Sequence, residues 1–483
     1  MNDMSSPLVR PDAALLDHLK SLAGAGGWLA PEDAARFFVD PRNRFSGGAS
    51  LVLRPTTTDQ VAAIIAACAA ARVGVTPFGA GTGAVAGHLD IADQGVVVLS
   101  LDRMRRIRSV DADSDVIVAE AGCVLDDIHA AAGAAGRRFG LSLASSGNCT
   151  IGGNLATNAG GVRTLRYGNM RDLCLGVEAV MADGRVFRGA QALRKDNTGY
   201  DLSHLMIGSE GTLGVITAAA LKLAPRPEES VTLMAAVADP AAALALLHAL
   251  RGRMGEVVSA FELMSRLGVS LATRHFPEER DPFGQPHQWY ALVDLEGRGG
   301  LQNDMEAVMA EVMAEDLIID AVVASSTAQA RSLWRLRELA HDYNQMEGAF
   351  CSSDTSVPLS RIGSFVAKAT SEIARLDPDI RANCYGHIGD GNIHVNLFAP
   401  EGVSKQAFLA ANPTVNDDAR MIINEVTHAE GGSISAEHGI GRLKTEDLRR
   451  YADPTKLSMI TAIKNALDPL GIMNPGAVFR QAP

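Results

Sequence analysis

The amino-acid sequence predicts an α+β protein organised in more than one domain. Three observations carry this. Short β-branched segments such as the VVVLSL of residues 96–101 are separated by glycine-containing loops. Capped helical patterns stand between them, as after Pro55. The rhythm then changes beyond Pro225-Arg226-Pro227, where strand and helix patterns alternate. A length of 483 residues fits two or three domains.

In chain order, residues 1–45 read as two short helices, with Asp12 capping the first. TTTDQVAAIIAACAAARVGV is a capped helix running into a strand at 73–77. A glycine-rich stretch over 79–87, the strand 96–101, the strand DVIVAEAG and an Asp-rich helix start at Leu125 follow. The run ASSGNCTIGGNLATNAGG over 144–161 is too polar for a core element. Strands at 176–182 and 185–188 are joined by Asp183-Gly184, a two-residue hairpin signal. Residues 228–330 give strand 231–237, helix 240–253, an apolar stretch, strand 289–295, helix 301–314 and strand 317–324. That order predicts a smaller sheet with helices on one face. Helices at 328–346, 358–376, 413–430 and 452–467 complete the reading.

Composition narrows the function. Lys+Arg 44 against Asp+Glu 56 leaves a net charge of −12, which argues against non-specific binding to nucleic acid or anionic membranes. The six cysteines contain no CxxC pair, so a disulfide framework, a Cys-ligated zinc and an iron–sulfur cluster are not expected. Buried inert thiols are the expectation, as for Cys68 in AAIIAACAAA. No charged-then-apolar leader pattern opens the chain, and no run approaches the roughly 20 apolar residues of a membrane span. A cytoplasmic location follows as the expectation.

Gly79-Ala80-Gly81-Thr82-Gly83-Ala84 fits the GxGxxA dinucleotide fingerprint, with Asp102 at the expected distance. That fingerprint requires a helix opening at its third glycine. The residues that follow, VAGHLDIADQG, are broken by Gly87, Asp90 and Gly95, so a loop is predicted and an NAD-type Rossmann site is disfavoured. Bare backbone N–H groups from such glycines can still form an anion-binding nest, or simply tight turns. A second segment, Thr150–Gly161, offers hydroxyls, amides and close-approach backbone without an acid, base or metal set. Such a lining suits a flat neutral heterocycle. A third segment, GSEGTLGVIT over 208–217, repeats the theme.

These segments, together with RKDNTGYDL (194–202), resemble the FAD-binding domain of the vanillyl-alcohol oxidase / PCMH flavoprotein superfamily, in its D-2-hydroxy-acid dehydrogenase branch. The resemblance runs from about residue 40 to the C-terminus. It implies a PCMH-type FAD-binding domain of two α/β subdomains over 1–225. A cap-like substrate domain with an antiparallel sheet and helices would cover 226–425, and a segment over 426–483 would return to the flavin domain. It implies that Pro77 and Gly79, Ala80, Gly81, Thr82 and Gly83 cradle the pyrophosphate. Ser146, Gly147, Thr150, Gly152, Gly153, Ala156, Thr157, Asn158, Gly211 and Ile216 would contact the flavin, with Asn474 of LDPLGIMNPG near its ring. Thr82 stands where covalent-flavin members often carry histidine, so the resemblance implies non-covalent FAD.

CYGHIGDGNIHVNLF (384–398) is the strongest chemical signal. Asp390-Gly391 reads as a two-residue turn pairing 389 with 392, which would set His387 directly across from His394, with Asn396 on the same face. Both imidazoles could then reach one metal, although a core or surface pair is the plain alternative. SAEHGIG (435–441) adds Glu437 beside His438. The branch carries both motifs, and the resemblance implies that His387, His394 and Glu437 bind a divalent metal, Zn or Mn, with His438 as the base. It also matches Arg337 of LWRLRE to a substrate-carboxylate grip, while Arg335 would face solvent.

The expected reaction oxidises a D-2-hydroxy acid to the 2-oxo acid, by hydride transfer to flavin N5 and proton transfer to His438. Members specific for 2-hydroxyglutarate resemble K-Y-D-x-S-x-P, with the Lys on the distal carboxylate. Here the stretch reads Ser352-Ser353-Asp354-Thr355-Ser356-Val357-Pro358, and His341 stands one turn after Arg337 as another candidate substrate contact. A D-lactate-like acid is therefore expected, with 2-hydroxyglutarate and an altered distal site as the alternative. A metal-dependent hydrolase built on the two His and Glu437 is the reading from another class. Electrons would leave to a separate acceptor, by resemblance an electron-transfer flavoprotein or a quinone pathway, and a homodimer is the family-level expectation.

Overall fold

The computed structural model describes residues 8–40, 44–91 and 95–479. They form two compact units: 1–160, 168–226 and 437–483 in the first, 161–167 and 227–436 in the second.

The first unit holds two sheets. In the smaller, the order is Trp28–Leu29, Leu51–Leu53, Val97–Ser100, Val75–Phe78, and the last three strands run parallel. Helix Thr58–Ala71 covers it with Val61, Ile64, Ile65 and Cys68, and Thr57 caps its start by accepting from the Gln60 N–H. The larger sheet is antiparallel, in the order Ile107–Asp111, Val116–Glu120, Gly214–Pro225, Cys174–Met181, Val186–Arg188, with Arg137–Phe139 also on Gly214–Pro225. Its hairpin turns around Asp183-Gly184, but Met181 faces Arg185, so the loop is the three residues 182–184 and not the two expected. Gly184 has φ +84°, and a Cβ there would lie 2.8 Å from that of Ala66.

Asp12 accepts from Leu15 N–H and caps helix Ala13–Ala23, but the second expected N-terminal helix is replaced by two 3₁₀ turns, Pro31–Asp33 and Ala35–Phe37. The 144–161 run also departs from expectation, since Ile151–Ala156 is a short, largely buried helix. Ile151 and Leu155, one turn apart, bury one face, and Gly152 lets the backbone lie against Ala121. No helix follows Gly79–Gly83 among the described residues, and Asp102 is occupied by Arg54 and Arg36, as befits a loop and not a Rossmann turn.

The second unit is an antiparallel sheet of eight strands. The order is Asp320–Val323, Glu229–Val237, Trp289–Gly297, Val258–Ser265, Arg381–Gly386, Asn392–Phe398, Cys351–Ser352, with Thr355–Ser356 also on Asn392–Phe398. The apolar stretch left open in the sequence is strand Val258–Ser265 followed by helix Arg266–His275. Helices cover both faces, not one. Along Glu229–Val237, Leu233 and Ala235 join one core with helices Pro240–Met254 and Ile362–Leu376, whereas Met234 and Ala236 join another with Arg266–His275 and Thr327–Glu338. The pleat sends alternate residues to opposite faces, so a strand apolar at every position demands cover on each.

The expected helix 328–346 breaks at Leu339 into Thr327–Glu338 and Ala340–Glu347. The chain returns to the first unit at Glu437 and not at 426, because helix Val415–Ala429 commits Val415, Ala419 and Ile423 to the second unit's core. All six cysteines are buried and unbridged, and burial pushes the Cys68 and Cys384 thiols up to about 12. Among the described residues no helix is long and apolar enough to cross a membrane.

Candidate functional site

The first unit contains a deep cavity at the ends of its glycine loops. Its walls include Pro77, Gly79, Ala80, Gly81, Thr82, Gly83, Thr150, Gly152, Gly153, Ala156, Thr157, Gly211, Ile216 and Asn474. Three expected contacts lie outside this lining. Ser146 and Gly147 sit in the turn that receives the Asp126 N–H on the Ser146 carbonyl, and Asn158 accepts from the Arg171 N–H at 2.9 Å. Phe78, Gly87, His88, Asn154, Ser209 and Glu210 line the cavity without having been singled out. Ser209 and Glu210 stood within a quoted motif; His88 carried no signal beyond its place after the loop.

The walls fit a dinucleotide. A Cβ on Gly79 would lie 2.8 Å from the Thr150 hydroxyl, so only bare backbone can approach there. That hydroxyl is buried without a hydrogen-bond partner among the described residues, as is Nε2 of His88, leaving polar atoms for a ligand.

A polar knot closes one side. The Glu210 carboxylate, which burial pushes above its ordinary value, accepts from the N–H groups of Ile440 and Gly441 at 2.8 and 2.7 Å. Asn474 donates from Nδ2 to the carbonyls of Gly87 and Glu210, and its Oδ1 accepts from Arg442. Arg442 also donates to the Gly87 and Pro475 carbonyls, and burial lowers it to about 10. His438 lines the same cavity, its Nε2 at 3.5 Å from Oε1 of Glu437.

In the second unit, strands Arg381–Gly386 and Asn392–Phe398 pair with Tyr385 opposite His394. The connection is the longer turn 387–391, not the two-residue turn the sequence predicts, because the Asp390 N–H bonds the His387 carbonyl and its side chain accepts from the Asn392 N–H. His387 nevertheless stays near His394, with ring centroids 6.1 Å apart. Both imidazoles are buried, and Nδ1 of His394 lies 3.3 Å from the Ser353 carbonyl. Nδ1 of His387 meets Oε1 of Glu262 at 2.5 Å, and Oε2 of the same carboxylate accepts from Nε of Arg337 at 2.7 Å.

Glu262 is fully buried. Burial alone would raise its pKa, but His387 and Arg337 outweigh that and hold it down at about 2. The Arg337 guanidinium stacks over Tyr385 at 4.8 Å. Asn396 accepts from the Ser352 hydroxyl at 2.6 Å and donates to the Tyr385 hydroxyl at 3.2 Å. His341 is exposed on helix Ala340–Glu347, and Arg335 is salt-bridged to Glu279 at the surface, as anticipated. Glu262 went unnoticed in the sequence because SAFELMS falls in the apolar stretch whose element the sequence leaves open.

A glycine-cradled cavity of this kind, with a histidine in its wall, fits a dinucleotide cofactor, and the chain's relatives give its class as FAD-linked oxidoreductases. The "FAD binding domain" family matches residues 49–190, and "FAD linked oxidases, C-terminal domain" matches 226–478. The chain is 36% identical over 453 residues to a mitochondrial D-2-hydroxyglutarate dehydrogenase of Bos taurus, covering 92% of this chain and 79% of that protein. It is 35% identical over 445 residues to its Arabidopsis thaliana counterpart (91% and 77%), and 32% over 450 residues to a D-2-hydroxyglutarate dehydrogenase of Xanthomonas citri pv. viticola (93% of each). Among solved structures, p-cresol methylhydroxylase with substrate bound is similar at a TM-score of 0.74 and 18% identity, over 96% of each chain.

The chain therefore belongs to the FAD-linked oxidase family, as a D-2-hydroxyglutarate dehydrogenase-like, FAD-dependent enzyme acting on a CH–OH group. The names of the plant and animal relatives place those proteins in mitochondria, which overturns the cytoplasmic expectation.

Proposed function

We propose that this enzyme oxidises a small D-2-hydroxy acid, D-lactate-like in size, using non-covalent FAD and a divalent metal held by His387, His394 and Glu437. The observation that carries the reading is His438 in the wall of the FAD cavity. FAD, when bound, supplies the two-electron acceptor at N5 for the hydride from the substrate carbon. The metal, Zn or Mn, supplies a Lewis acid that polarises the substrate hydroxyl.

His438 takes the hydroxyl proton on an imidazole nitrogen, as a general base within the cavity wall. Arg337 grips the carboxylate through its Nη edge, since Nε is already committed to Glu262. Asn396 and His341 are the remaining candidate substrate contacts. The metal reading is supported by the nearness of the His387 and His394 rings. It is supported further by the strand-like bridge between Ser433 and Ser356, and by the Ala436 N–H on the Asp354 carbonyl, one peptide bond before Glu437.

The smaller substrate is argued from Ser352. A neutral, exposed hydroxyl already bonded to Asn396 stands where the resemblance puts the cation on a distal carboxylate, so a dicarboxylate forgoes a charge-assisted hydrogen bond worth about 1.5–3 kcal/mol. Electrons then leave to a separate acceptor, an electron-transfer flavoprotein or a quinone pathway. A similar protein of Saccharomyces cerevisiae is named a D-2-hydroxyglutarate–pyruvate transhydrogenase, so a 2-oxo acid joins the acceptors to be compared. A homodimer is the proposed assembly.

The test is an anaerobic absorbance spectrum of the purified protein before and after D-lactate, L-lactate, D-malate or D-2-hydroxyglutarate. Bleaching of the flavin band by D-lactate is expected, and His438→Gln should retain FAD yet bleach about 10²–10⁴-fold more slowly. A band unmoved by every acid sinks the proposed reaction. Bleaching by D-2-hydroxyglutarate alone sinks the substrate assignment.

A further inference from the structure

We infer that Glu262 is a positioning residue which holds two functional groups of the second unit, the guanidinium of Arg337 and the imidazole of His387, with one carboxylate. The inference rests on the roles proposed above for those two side chains, and nothing in the sequence pattern announces it.

The position is expensive for a charge. Every residue of strand Val258–Ser265 is buried, and Glu262 is 0% exposed between Phe261 and Leu263, both core residues. A carboxylate there costs several kcal/mol unless each oxygen finds a donor. Each does: Oε2 takes Nε of Arg337 at 2.7 Å, and Oε1 takes Nδ1 of His387 at 2.5 Å. The three residues come from three separate elements, namely a sheet strand, helix Thr327–Glu338 and the turn after strand Arg381–Gly386. A surface-style ion pair would need only two partners and would not need this depth.

Both contacts have directional consequences. A carboxylate facing Nδ1 fixes the proton on that nitrogen and leaves Nε2 as the nitrogen carrying a lone pair, the form a metal ligand requires. On the other side, Nε is engaged and the guanidinium plane is held over Tyr385, so its Nη edge is aimed as a rigid fork. One carboxylate thus sets the tautomer of the metal ligand and the aim of the substrate grip. Loss of either partner should be felt by the other.

Glu262→Gln tests this because an amide offers one acceptor and one donor in nearly the same shape. It can satisfy Arg337 only by turning its NH₂ toward His387, which favours the Nε2–H tautomer and blocks that nitrogen. We expect the affinity for Zn²⁺, read by competition with a chromophoric chelator, to fall about 10–100-fold. FAD content should stay at the wild-type level, since the cofactor cavity lies in the first unit. Glu262→Asp keeps two acceptor oxygens and should recover part of the loss. Zn²⁺ affinity in Glu262→Gln within twofold of wild type overturns the inference.

A second arm needs no variant of Glu262. In ¹⁵N-histidine-labelled wild-type enzyme without metal, the His387 resonance, assigned with His387→Gln, should show the Nδ1–H tautomer. An Nε2–H tautomer overturns the inference even if Glu262→Gln fails to fold. Wild-type enzyme that takes up no divalent ion would sink the metal reading, while the tautomer still decides whether Glu262 holds the ring.

Discussion

Asn474 donates from Nδ2 to the backbone carbonyl of Glu210 at 2.7 Å, so a turn near the C-terminus locks a wall of the glycine-lined cavity set more than two hundred residues earlier. The same amide binds the Gly87 carbonyl and Arg442, which leaves its polar atoms engaged with protein rather than held out for the cofactor. Asn474 also adopts φ +45°, a left-handed conformation that asparagine tolerates better than most residues.

The knot and the backbone can be separated by two variants. Asn474→Gly removes the amide and accepts the backbone angle, whereas Asn474→Ala removes the amide and adds about 1 kcal/mol of strain. Both should weaken FAD binding about tenfold in reconstitution titrations followed by flavin fluorescence. Only the alanine variant should show the further drop in melting temperature. Wild-type FAD affinity in both would mean that the knot does not shape the cavity.

Gly152 supports a second prediction. An added Cβ would stand 2.7 Å from the Cβ of Ala121 and 3.1 Å from its carbonyl oxygen, and Gly152 also lines the cavity. Neither neighbour is the end of a flexible chain, so Gly152→Ala must displace helix Ile151–Ala156 toward the cofactor. A loss of about 1–3 kcal/mol of stability and a preparation largely depleted of FAD are expected, measured by denaturant unfolding and the ratio of flavin to protein absorbance.

The acid limb of stability should depend on Glu178. Its carboxylate accepts from the hydroxyls of Thr58 at 2.7 Å and Thr217 at 2.9 Å and from Arg108 at 3.0 Å. Burial would raise its pKa, but Arg108 and the two hydroxyls outweigh burial and leave it below the ordinary value of 4.5. A group depressed in the folded state stabilises above its unfolded pKa, and the contribution fades as pH falls from 4.5 toward the folded value. Glu178→Gln should therefore cost about 1–3 kcal/mol at pH 7, with the gap to wild type narrowing as the pH is lowered below 4.5. A gap that widens in acid would reverse the sign of the argument.

What could be read in the sequence followed local rules. The glycine loops and the capped helix at Thr57 are each specified by neighbours within a few residues and stand where expected, while the Asp183-Gly184 turn falls in place with a loop one residue longer. The two histidines came together although the turn between them was misjudged: His394 lies in its strand opposite Tyr385, and the longer turn 387–391 still leaves the His387 ring 6.1 Å from that of His394. What stayed hidden was non-local. Glu262, Arg337 and His387 are far apart in the chain, and a lone glutamate in an apolar strand has no period to betray it. Covering of the second sheet on both faces was hidden for the same reason: an unbroken apolar strand does not say how many layers it faces.

Substrate choice is the most direct place to challenge the proposed reaction. Ser352 lies in the short strand Cys351–Ser352 paired with Asn392–Phe398, and its hydroxyl is bonded to Asn396 at 2.6 Å. The position is exposed, so a longer side chain meets no core there. Ser352→Lys places a cation where the resemblance puts the Lys of K-Y-D-x-S-x-P, while freeing Asn396 from its serine partner. A charge-assisted hydrogen bond to a distal carboxylate is worth about 1.5–3 kcal/mol, or roughly one to two orders of magnitude in kcat/KM. The variant should shift the ratio of kcat/KM for D-2-hydroxyglutarate over D-lactate upward by about tenfold or more, mainly through KM for the dicarboxylate. An unchanged ratio in a variant that retains FAD would show that the distal carboxylate is recognised elsewhere, and the size argument drawn from Ser352 would fall with it.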